Sequence, residues 1–230
     1  MLKQIILSFL ISICLPVFSQ TNEPYELIAK GKSIRYACYY ADKLRQHVEK
    51  TVTNNNQGNG KIEVTHLWMI LNKKGKPSKS AKLMGWGDGL QTSVELTDGS
   101  YYLTFDLCFG ASMGNRSGWL LKIPKTLKVG DVIEGGTLKS SNKFMGSTIN
   151  NEITFNNFKV VEELDLQTGA GKIHCLKIVG NITGRYQRSD VNETQTIYLA
   201  PGIGIVRQES DNYLGMNVSY VVEVSQISNN

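Results

Sequence analysis

Apolar and polar residues alternate with a period of two in the longest patterned segments of this chain. In Lys61–Leu71, one face of a strand would carry His66 and a row of apolar side chains: Ile62, Val64, Trp68 and Ile70. The same period runs through Tyr101–Cys108 and Leu214–Val224. Because successive residues of a strand point to opposite faces of the sheet, each segment is predicted to be a half-buried β-strand.

Short polar turn signals separate the predicted strands, at Asn54–Gly60, Asp98–Gly99, Gly135–Gly136 and Thr168–Gly171. Strands joined by short turns pair antiparallel. Residues 40–52 would suit either the start of a helix or a strand, and we favour a strand because the segment contains β-branched side chains. The spacing of the turns predicts one all-β domain of roughly ten to fourteen strands, with at most short helices.

The first segment has the features of an export signal. Lys3 precedes the short apolar run Ile5–Ile13, Pro16 ends this run, and small or medium residues follow. We expect residues 1–19 to be a signal peptide that is cleaved on export. The alternative is a lipid anchor on Cys14, but the bulky isoleucine before this cysteine fits poorly in the small pocket of a lipoprotein signal peptidase.

Residues 20–230 are expected to form the mature protein, as one β-rich domain in the periplasm or at the cell surface. The residues near 20–28 and 226–230 lack a periodic pattern and are expected to be loose ends. Since the sequence contains no second long apolar run, we expect no transmembrane span after cleavage.

Basic residues exceed acidic ones only slightly, with 25 Lys and Arg against 20 Asp and Glu and a formal net charge of +5. An excess this small does not predict nucleic-acid binding. The densest basic group contains five lysines: Lys73, Lys74, Lys76, Lys79 and Lys82. This group would suit either contact with anionic lipid headgroups or a soluble hairpin tip that blocks strand-to-strand aggregation, and we favour the second.

Three cysteines remain after cleavage: Cys38, Cys108 and Cys175. Export permits disulfides, so one pair plus one free thiol is one expectation, and three small buried apolar side chains is the other. The three histidines show no ligand spacing, so neither a metal site nor a cofactor is predicted. Each histidine is expected to be a strand residue on a mixed surface.

Gly110–Gly114 matches the G-x-S-x-G pattern of α/β-hydrolases, with Ser112 in the position of the nucleophile. Asp131, Asp165 and His174 follow in the chain order that those enzymes use. The pattern needs a helix directly after the serine, and the residues that follow here do not begin one. We therefore expect a loop and no catalytic residue, with a Ser112-dependent hydrolase as a remote alternative.

Three stretches together form a recognisable pattern: Pro124–Asp131, Val160–Ile178 and Ile197–Val206. Through them the chain resembles an exported Bacteroidetes family of unknown function, the TapB-type, over about residues 25–225. That family is similar in fold to periplasmic lipoprotein carriers of the LolA/LolB kind. The resemblance implies a single curved antiparallel sheet, a half-barrel, whose concave face binds acyl chains in those carriers.

The residues that carry the resemblance are expected to be structural, forming turns and bulges of the sheet. They are Gly130, Asp131, Thr168, Gly169, Ala170, Gly171, Cys175, Ala200, Pro201, Gly202 and Gly204. The chain departs from the family pattern at Gly169, where proline is usual, and at Ile173–His174, where phenylalanine usually precedes the cysteine.

We therefore expect an exported, non-enzymatic protein that binds an apolar ligand or lipid on a curved sheet. The candidate contact residues come from the alternating strands: Trp68, Ile70, Met216, Val218 and Tyr220. The alternative for each of these residues is a place in the core. A second hypothesis is a structural or interaction module with an envelope protein as its partner. In either case we expect a monomer.

Overall fold

The computed structural model describes residues 23–79, 89–104, 115–144, 147–186, 189–213 and 218–229. Within these ranges the chain forms fourteen β-strands, which agrees with the predicted number. Their bounds are β1 (Lys32–Tyr40), β2 (Lys43–Gly58), β3 (Lys61–Leu71), β4 (Leu90–Thr97), β5 (Tyr101–Leu103), β6 (Asn115–Gly118), β7 (Leu121–Ile123), β8 (Val132–Gly135), β9 (Thr137–Phe144), β10 (Ser147–Thr168), β11 (Gly171–Tyr186), β12 (Ser189–Ala200), β13 (Gly204–Ser210) and β14 (Tyr220–Asn229). The predicted signal segment, residues 1–19 with Cys14, lies outside the described residues.

The strands form one antiparallel sheet with the order β4-β3-β2-β1-β14-β13-β12-β11-β10-β8-β7-β5, and β6 and β9 extend it beside β10. The two end strands, β4 and β5, follow each other in the chain. Thr97 and Ser100 exchange two backbone hydrogen bonds of 2.9 Å across the turn between them. Since the two ends of the sheet meet at this turn, the sheet is nearly closed into a barrel shape, and the predicted curved antiparallel sheet is confirmed.

Tight two-residue turns join β1 to β2, β2 to β3 and β10 to β11. Asn59 and Gly60 both have positive φ, of 52° and 74°, which suits the mirror-image turns that match the twist of a hairpin. The turn predicted at Asn54–Gly60 is therefore shorter than expected. Strand β2 continues through Gly58 and pairs with the whole length of β3. Cross-strand hydrogen bonds hold these polar residues extended. The segment 40–52 is strand on both sides of one tight turn, as we predicted.

Gly135–Gly136 is a kink within a continuing strand and not the predicted turn. The strands on both sides of it, β8 and β9, pair with the same long strand, β10. A Cβ on Gly135 would lie 1.9 Å from the carbonyl oxygen of Phe155, so only glycine allows this close approach. The partner strand bends at the same level, where Asn157 has a positive φ of 56°.

The described residues of the two ends that we expected to be loose, 23–28 and 226–229, are attached to the sheet. Leu27 is 1% exposed, and Ile227 pairs with Ile34 in the sheet. The missing periodicity at residues 23–28 reflects an irregular backbone rather than disorder, because side chains of the sheet hold this segment.

The core fills the inside of the curved sheet, and two of the three cysteines contribute to it. Cys38 and Cys175 are each 1% exposed, and both thiols are free. The expected disulfide is therefore not formed by either residue, and both act as small apolar side chains. Cys108 lies outside the described residues.

Candidate functional site

Two inward-facing positions of neighbouring strands carry basic side chains where the pattern would place apolar ones. Lys50 lies between Val48 and Val52 on the inner face of β2, and it is 4% exposed. His66 on β3 pairs with Val52 and is 1% exposed. Strand alternation directs both side chains into the interior. The prediction that His66 lies on a mixed surface is therefore wrong.

Residues 23–28, the N-terminal segment, cross one end of the interior without joining the sheet as a strand. Hydrogen bonds to its backbone hold it there. The backbone N–H of Gly202 donates to the carbonyl of Pro24 at 2.8 Å. The Tyr101 hydroxyl donates to the carbonyl of Tyr25 at 2.7 Å, and the Asn55 amide donates to that of Ile28 at 2.6 Å.

Glu26 of this segment completes a buried charged cluster with Lys50 and His66, which we call the interior cluster. The Lys50 ammonium donates a hydrogen bond to Glu26 Oε1, and the same oxygen accepts the backbone N–H of Leu27 at 2.7 Å. His66 Nε2 lies 3.8 Å from that oxygen. The side chains of the three residues are only 1–5% exposed, so the charges of Lys50 and Glu26 compensate each other away from water.

His66 is neutral at physiological pH. Burial and the neighbouring Lys50 ammonium lower its pKa to about 4, although Glu26 and the Leu27 carbonyl act in the opposite direction. The ring Nε2 lies 2.9 Å from the carbonyl oxygen of Leu27, which can only accept a hydrogen bond. Nε2 must therefore carry the proton, and His66 is a hydrogen-bond donor that helps to hold the N-terminal segment.

Aromatic side chains form the wall beside the interior cluster. The ring of Trp68 stacks on that of Tyr36, with 6.5 Å between centroids, and the Lys50 ammonium lies 5.3 Å from the centre of the Trp68 ring. The Trp68 indole N–H donates to the Thr92 hydroxyl at 2.9 Å. Burial raises the pKa of both Tyr36 and Tyr101 above the ordinary value, so both phenols stay neutral.

The cavity between the cluster and the aromatic wall has a volume of about 30 Å³. Its further lining includes Leu103, Thr104 and Ile205. A volume of this size holds about one water molecule. Glu26 of the N-terminal segment lines this cavity.

Four of the five contact residues predicted from the alternating strands lie in the described part of the chain. Trp68 lines the interior cavity, whereas Ile70 is 7% exposed in the core. Tyr220 is 1% exposed and stacks on Tyr213 at 4.6 Å. Val218 is half-buried, and Met216 lies outside the described residues.

Sequence reasoning missed the interior cluster, although a signal existed for two of its members. Lys50 and His66 each interrupt an alternating row of apolar residues at an inward position, and that interruption marks a buried polar group. Glu26 carries no such signal, because it lies in a segment without periodicity.

Several residues of the family motifs make contacts within turns. The Asp131 carboxylate accepts the backbone N–H of Lys128 at 3.0 Å, and the Thr168 hydroxyl donates to the carbonyl of Gly171 at 2.8 Å. Gly202 has a positive φ of 68° and holds the N-terminal segment through Pro24. These contacts suit the structural role that was predicted for the motifs.

His174 forms a second charged cluster, on the surface. Its Nδ1 lies 2.9 Å from Asp165 and its Nε2 lies 2.8 Å from Glu163. Hydrogen bonds to Glu163 and then to Asp165 raise the pKa of His174. Within the described ranges, no group of three or more His, Cys, Asp or Glu side chains could hold a metal ion. Ser112, the candidate nucleophile, lies outside these ranges.

The described part of the chain contains no helix that is long and apolar enough to cross a membrane. A search of curated proteins found none that matches this chain.

Solved structures match the chain over most of its length. A candidate exported protein with a YmcC-like fold from Bacteroides fragilis superposes with a TM-score of 0.72 and 20% identity, over 90% of this chain and 99% of that one. A candidate lipoprotein from Parabacteroides distasonis gives a TM-score of 0.64 and 12% identity, over the same shares of the two chains. At these identities the likeness shows the fold.

The similarity to the TapB-type family and to the LolA/LolB carriers is not confirmed by these comparisons, so that part of the resemblance stays a prediction. One family model matches the sequence over residues 29–222. This range includes all strands from β1 to β13 and the start of β14. This chain belongs to the DUF3108-like family.

Proposed function

We propose that this chain is an exported, non-enzymatic binding protein that takes a single-chain amphipathic anion, such as a fatty acid, into the interior of its sheet. One observation carries the proposal: a buried ammonium in an aromatic-lined cavity is neutralised by a carboxylate from a segment outside the sheet. Lys50 supplies the ammonium, Glu26 the carboxylate, and Trp68 and Tyr36 the wall.

Removing the charges of Lys50 and Glu26 from water costs free energy, which their mutual attraction only partly offsets. Replacing such a pair by apolar residues is often neutral or stabilising, so stability alone does not explain why Lys50 and Glu26 lie in the core. A mainly apolar cavity with a few convergent polar groups is the usual form of a ligand site. This chemistry suits a ligand with one negative headgroup and an apolar chain.

In this state Glu26 occupies the place of the ligand's headgroup. Its carboxylate accepts the hydrogen bond from Lys50 that a fatty-acid carboxylate would accept. The side chains of its neighbours Tyr25 and Leu27 are buried in the core. Binding therefore requires the N-terminal segment to withdraw, which would enlarge the cavity and free the Lys50 ammonium.

The expected location and the absence of enzymatic activity are parts of the proposal. The two structural neighbours are described as a candidate exported protein and a candidate lipoprotein, which supports a place in the cell envelope. The choice between periplasm and cell surface, and the monomeric state, rest on the sequence.

The test uses delipidated protein of residues 20–230 and a dansylated fatty acid as the fluorescent probe, with palmitate as the competitor. The variant Glu26→Gln removes the competing carboxylate and should bind palmitate more tightly than the native protein. The double variant Glu26→Gln/Lys50→Met loses the cation and should bind about 10- to 150-fold more weakly than Glu26→Gln, since a charge-assisted hydrogen bond contributes about 1.5–3 kcal/mol.

Two controls separate headgroup recognition from general hydrophobicity. Lys61→Met removes a lysine from an exposed pair with Glu95 and should leave binding unchanged. Hexadecanol, which has no charge, should bind the single and the double variant with similar affinity. Failure of palmitate to displace the probe, or equal affinity of all variants for palmitate, would refute the proposal.

A second candidate function is an interaction module for an envelope protein, and three exposed valines favour it. Val129, Val132 and Val161 are 52%, 74% and 44% exposed. They lie close together, because Val132 pairs with Lys159 and the N–H of Gly130 donates to Val160. A photo-crosslinker at position 132 should then capture one envelope protein that a crosslinker at exposed Tyr102 does not.

A further inference from the structure

The segment that follows β3 carries a dense group of lysines. It comprises residues 72–79, and we call it the basic turn. Its lysines are Lys73, Lys74, Lys76 and Lys79. All four side chains are exposed, and no acidic residue occurs among them in the sequence. Lys82, the fifth lysine of the group found in the sequence, lies outside the described residues.

Hydrogen bonds fix the shape of the basic turn. The Asn72 side-chain oxygen accepts the backbone N–H of Lys74 at 2.8 Å and that of Lys76 at 3.3 Å. The Asn72 N–H donates to the carbonyl of Lys76 at 2.8 Å, and the N–H of Gly75 donates to the carbonyl of Asn72 at 2.9 Å. The lysines therefore project from a backbone that is already ordered, so binding through them requires little further loss of backbone entropy.

Protection of a strand edge, the role that we favoured from the sequence, does not account for the basic turn. Leu71 forms an antiparallel bridge with Pro77, and the N–H of Ser78 donates to the carbonyl of Ile70 at 3.0 Å. The backbone of the basic turn thus covers the end of β3 by itself. The end strand of the sheet is β4, which pairs with β3 over residues 61–68 and does not extend to the basic turn.

The positive charges of the basic turn have no partner among the described carboxylates. Four other exposed lysines form ion pairs: Lys61 with Glu95, Lys122 with Glu134, Lys139 with Glu152 and Lys172 with Asp165. Within the described ranges, none of the ion pairs includes a lysine of the basic turn. Four like charges within seven residues repel one another, and an anionic partner would relieve this repulsion.

The start of β2 adds further positive charge beside the basic turn. It lies at the same end of the sheet, because His47 pairs with Leu71. The exposed charged residues there are Asp42, Lys43 and Arg45. Glu49, the next carboxylate along β2, is bound by Arg35 at 2.7 Å. The surface formed by the basic turn and the start of β2 therefore has a clear excess of positive charge.

We propose that the basic turn docks this protein on a bilayer that contains anionic phospholipid. Ammonium groups held close to such a bilayer are attracted by its negative surface potential. The lysines are concentrated in one turn at an end of the sheet, where a planar array of headgroups can meet all of them at once. A soluble polyanion would instead be held by a row of cations along the surface. The proposal rests on the export that is part of the proposed function, and not on the interior ligand.

The experiment is sedimentation of protein of residues 20–230 with sucrose-loaded vesicles of phosphatidylcholine, with or without about 30 mol% phosphatidylglycerol. We expect binding to the vesicles that contain phosphatidylglycerol and not to the others. The protein should be released at about 1 M NaCl, where the Debye length is about 3 Å. The triple variant Lys73→Gln/Lys74→Gln/Lys76→Gln should bind about 100-fold more weakly, the effect of losing three lysines near an anionic surface.

Two matched variants separate the position of the charges from their number. Arginine in place of the same three lysines keeps the charges and should leave vesicle binding unchanged. The variant Lys61→Gln/Lys139→Gln/Lys172→Gln lowers the net charge by the same amount as the glutamine variant of the basic turn, but at exposed ion pairs elsewhere. It should also bind like the native protein.

Four results would overturn the proposal: no binding to the anionic vesicles, equal binding to both kinds of vesicle, native affinity in the glutamine variant of the basic turn, or an equal loss in both glutamine variants. A heparin hexasaccharide that binds through the basic turn while the vesicles do not would also overturn it, in favour of a soluble polyanion. Palmitate binding is measured without vesicles, so this proposal and the proposed function can fail separately.

Discussion

Lys50→Met tests directly whether the interior cluster is a compensated buried ion pair. The substitution keeps most of the side-chain volume and removes the ammonium that neutralises Glu26. Both side chains are 5% exposed, so water cannot replace the lost partner without opening the structure. Breaking a buried pair on one side costs about 3–5 kcal/mol of the free energy of unfolding, because the remaining charge is left uncompensated.

Urea unfolding, followed by tryptophan fluorescence, measures the effect. With a denaturant slope of about 2–3 kcal/mol per molar, the loss corresponds to a midpoint about 1–2.5 M lower. The double variant Glu26→Gln/Lys50→Met removes both charges and should unfold within about 1 kcal/mol of the native protein. Lys61→Met, at an exposed ion pair, should change stability by less than about 1 kcal/mol.

The reasoning is wrong if Lys50→Met unfolds at the native midpoint, or if the double variant is as unstable as the single one. The first result would mean that Glu26 reaches water in the folded protein. The second would mean that Lys50 stabilises the core through contacts of its alkyl chain, and not by neutralising a charge.

Three further predictions concern other buried groups. Because the pKa of His66 is about 4 in the folded state and about 6.5 when unfolded, stability should fall as the pH is lowered from 6.5 to 4, and His66→Gln should flatten this part of the urea midpoint profile. Gly180→Ala should lower the free energy of unfolding by about 1–3 kcal/mol, since its Cβ would lie 2.3 Å from a phenylalanine ring, whereas Gly58→Ala, with no atom within 4 Å, should change it by less than about 1 kcal/mol. Burial raises the pKa of Cys38 to about 12 and that of Cys175 to about 11, so in a Cys108→Ser background neither thiol should react with Ellman's reagent at pH 8 until urea unfolds the protein, and rapid native labelling would contradict their burial.

The alternating sequence pattern predicted the bounds of a strand well where no contact with a distant strand changes them. The bounds of β3 are those of the alternating segment Lys61–Leu71, because each strand residue has its face set by the residue before it. The prediction was less accurate where the decisive contact comes from a distant strand. Gly135–Gly136 looks like a turn in sequence, but β10 pairs with the residues on both sides and makes it a kink.

The candidate site likewise contains residues whose position the local pattern predicts and residues whose position depends on distant contacts. Trp68 was predicted to lie on the apolar face of its strand and it faces the interior cavity, because the alternation of side chains along a strand decides its direction. The partner of Lys50 is 24 residues away in an irregular segment, and no local rule selects Glu26 for it. Burial of a charged pair depends on both groups arriving together, which only the packed chain arranges.

The alternation and the turn residues by themselves determined that this chain would be one domain of antiparallel strands, because both act over a few residues. The curvature of the sheet was implied only by the resemblance to a known family. Only the tertiary structure decided that the sheet nearly closes and that the N-terminal segment lies inside its end. These features depend on contacts between residues far apart in the chain, whose free energy is gained only when the whole sheet has formed.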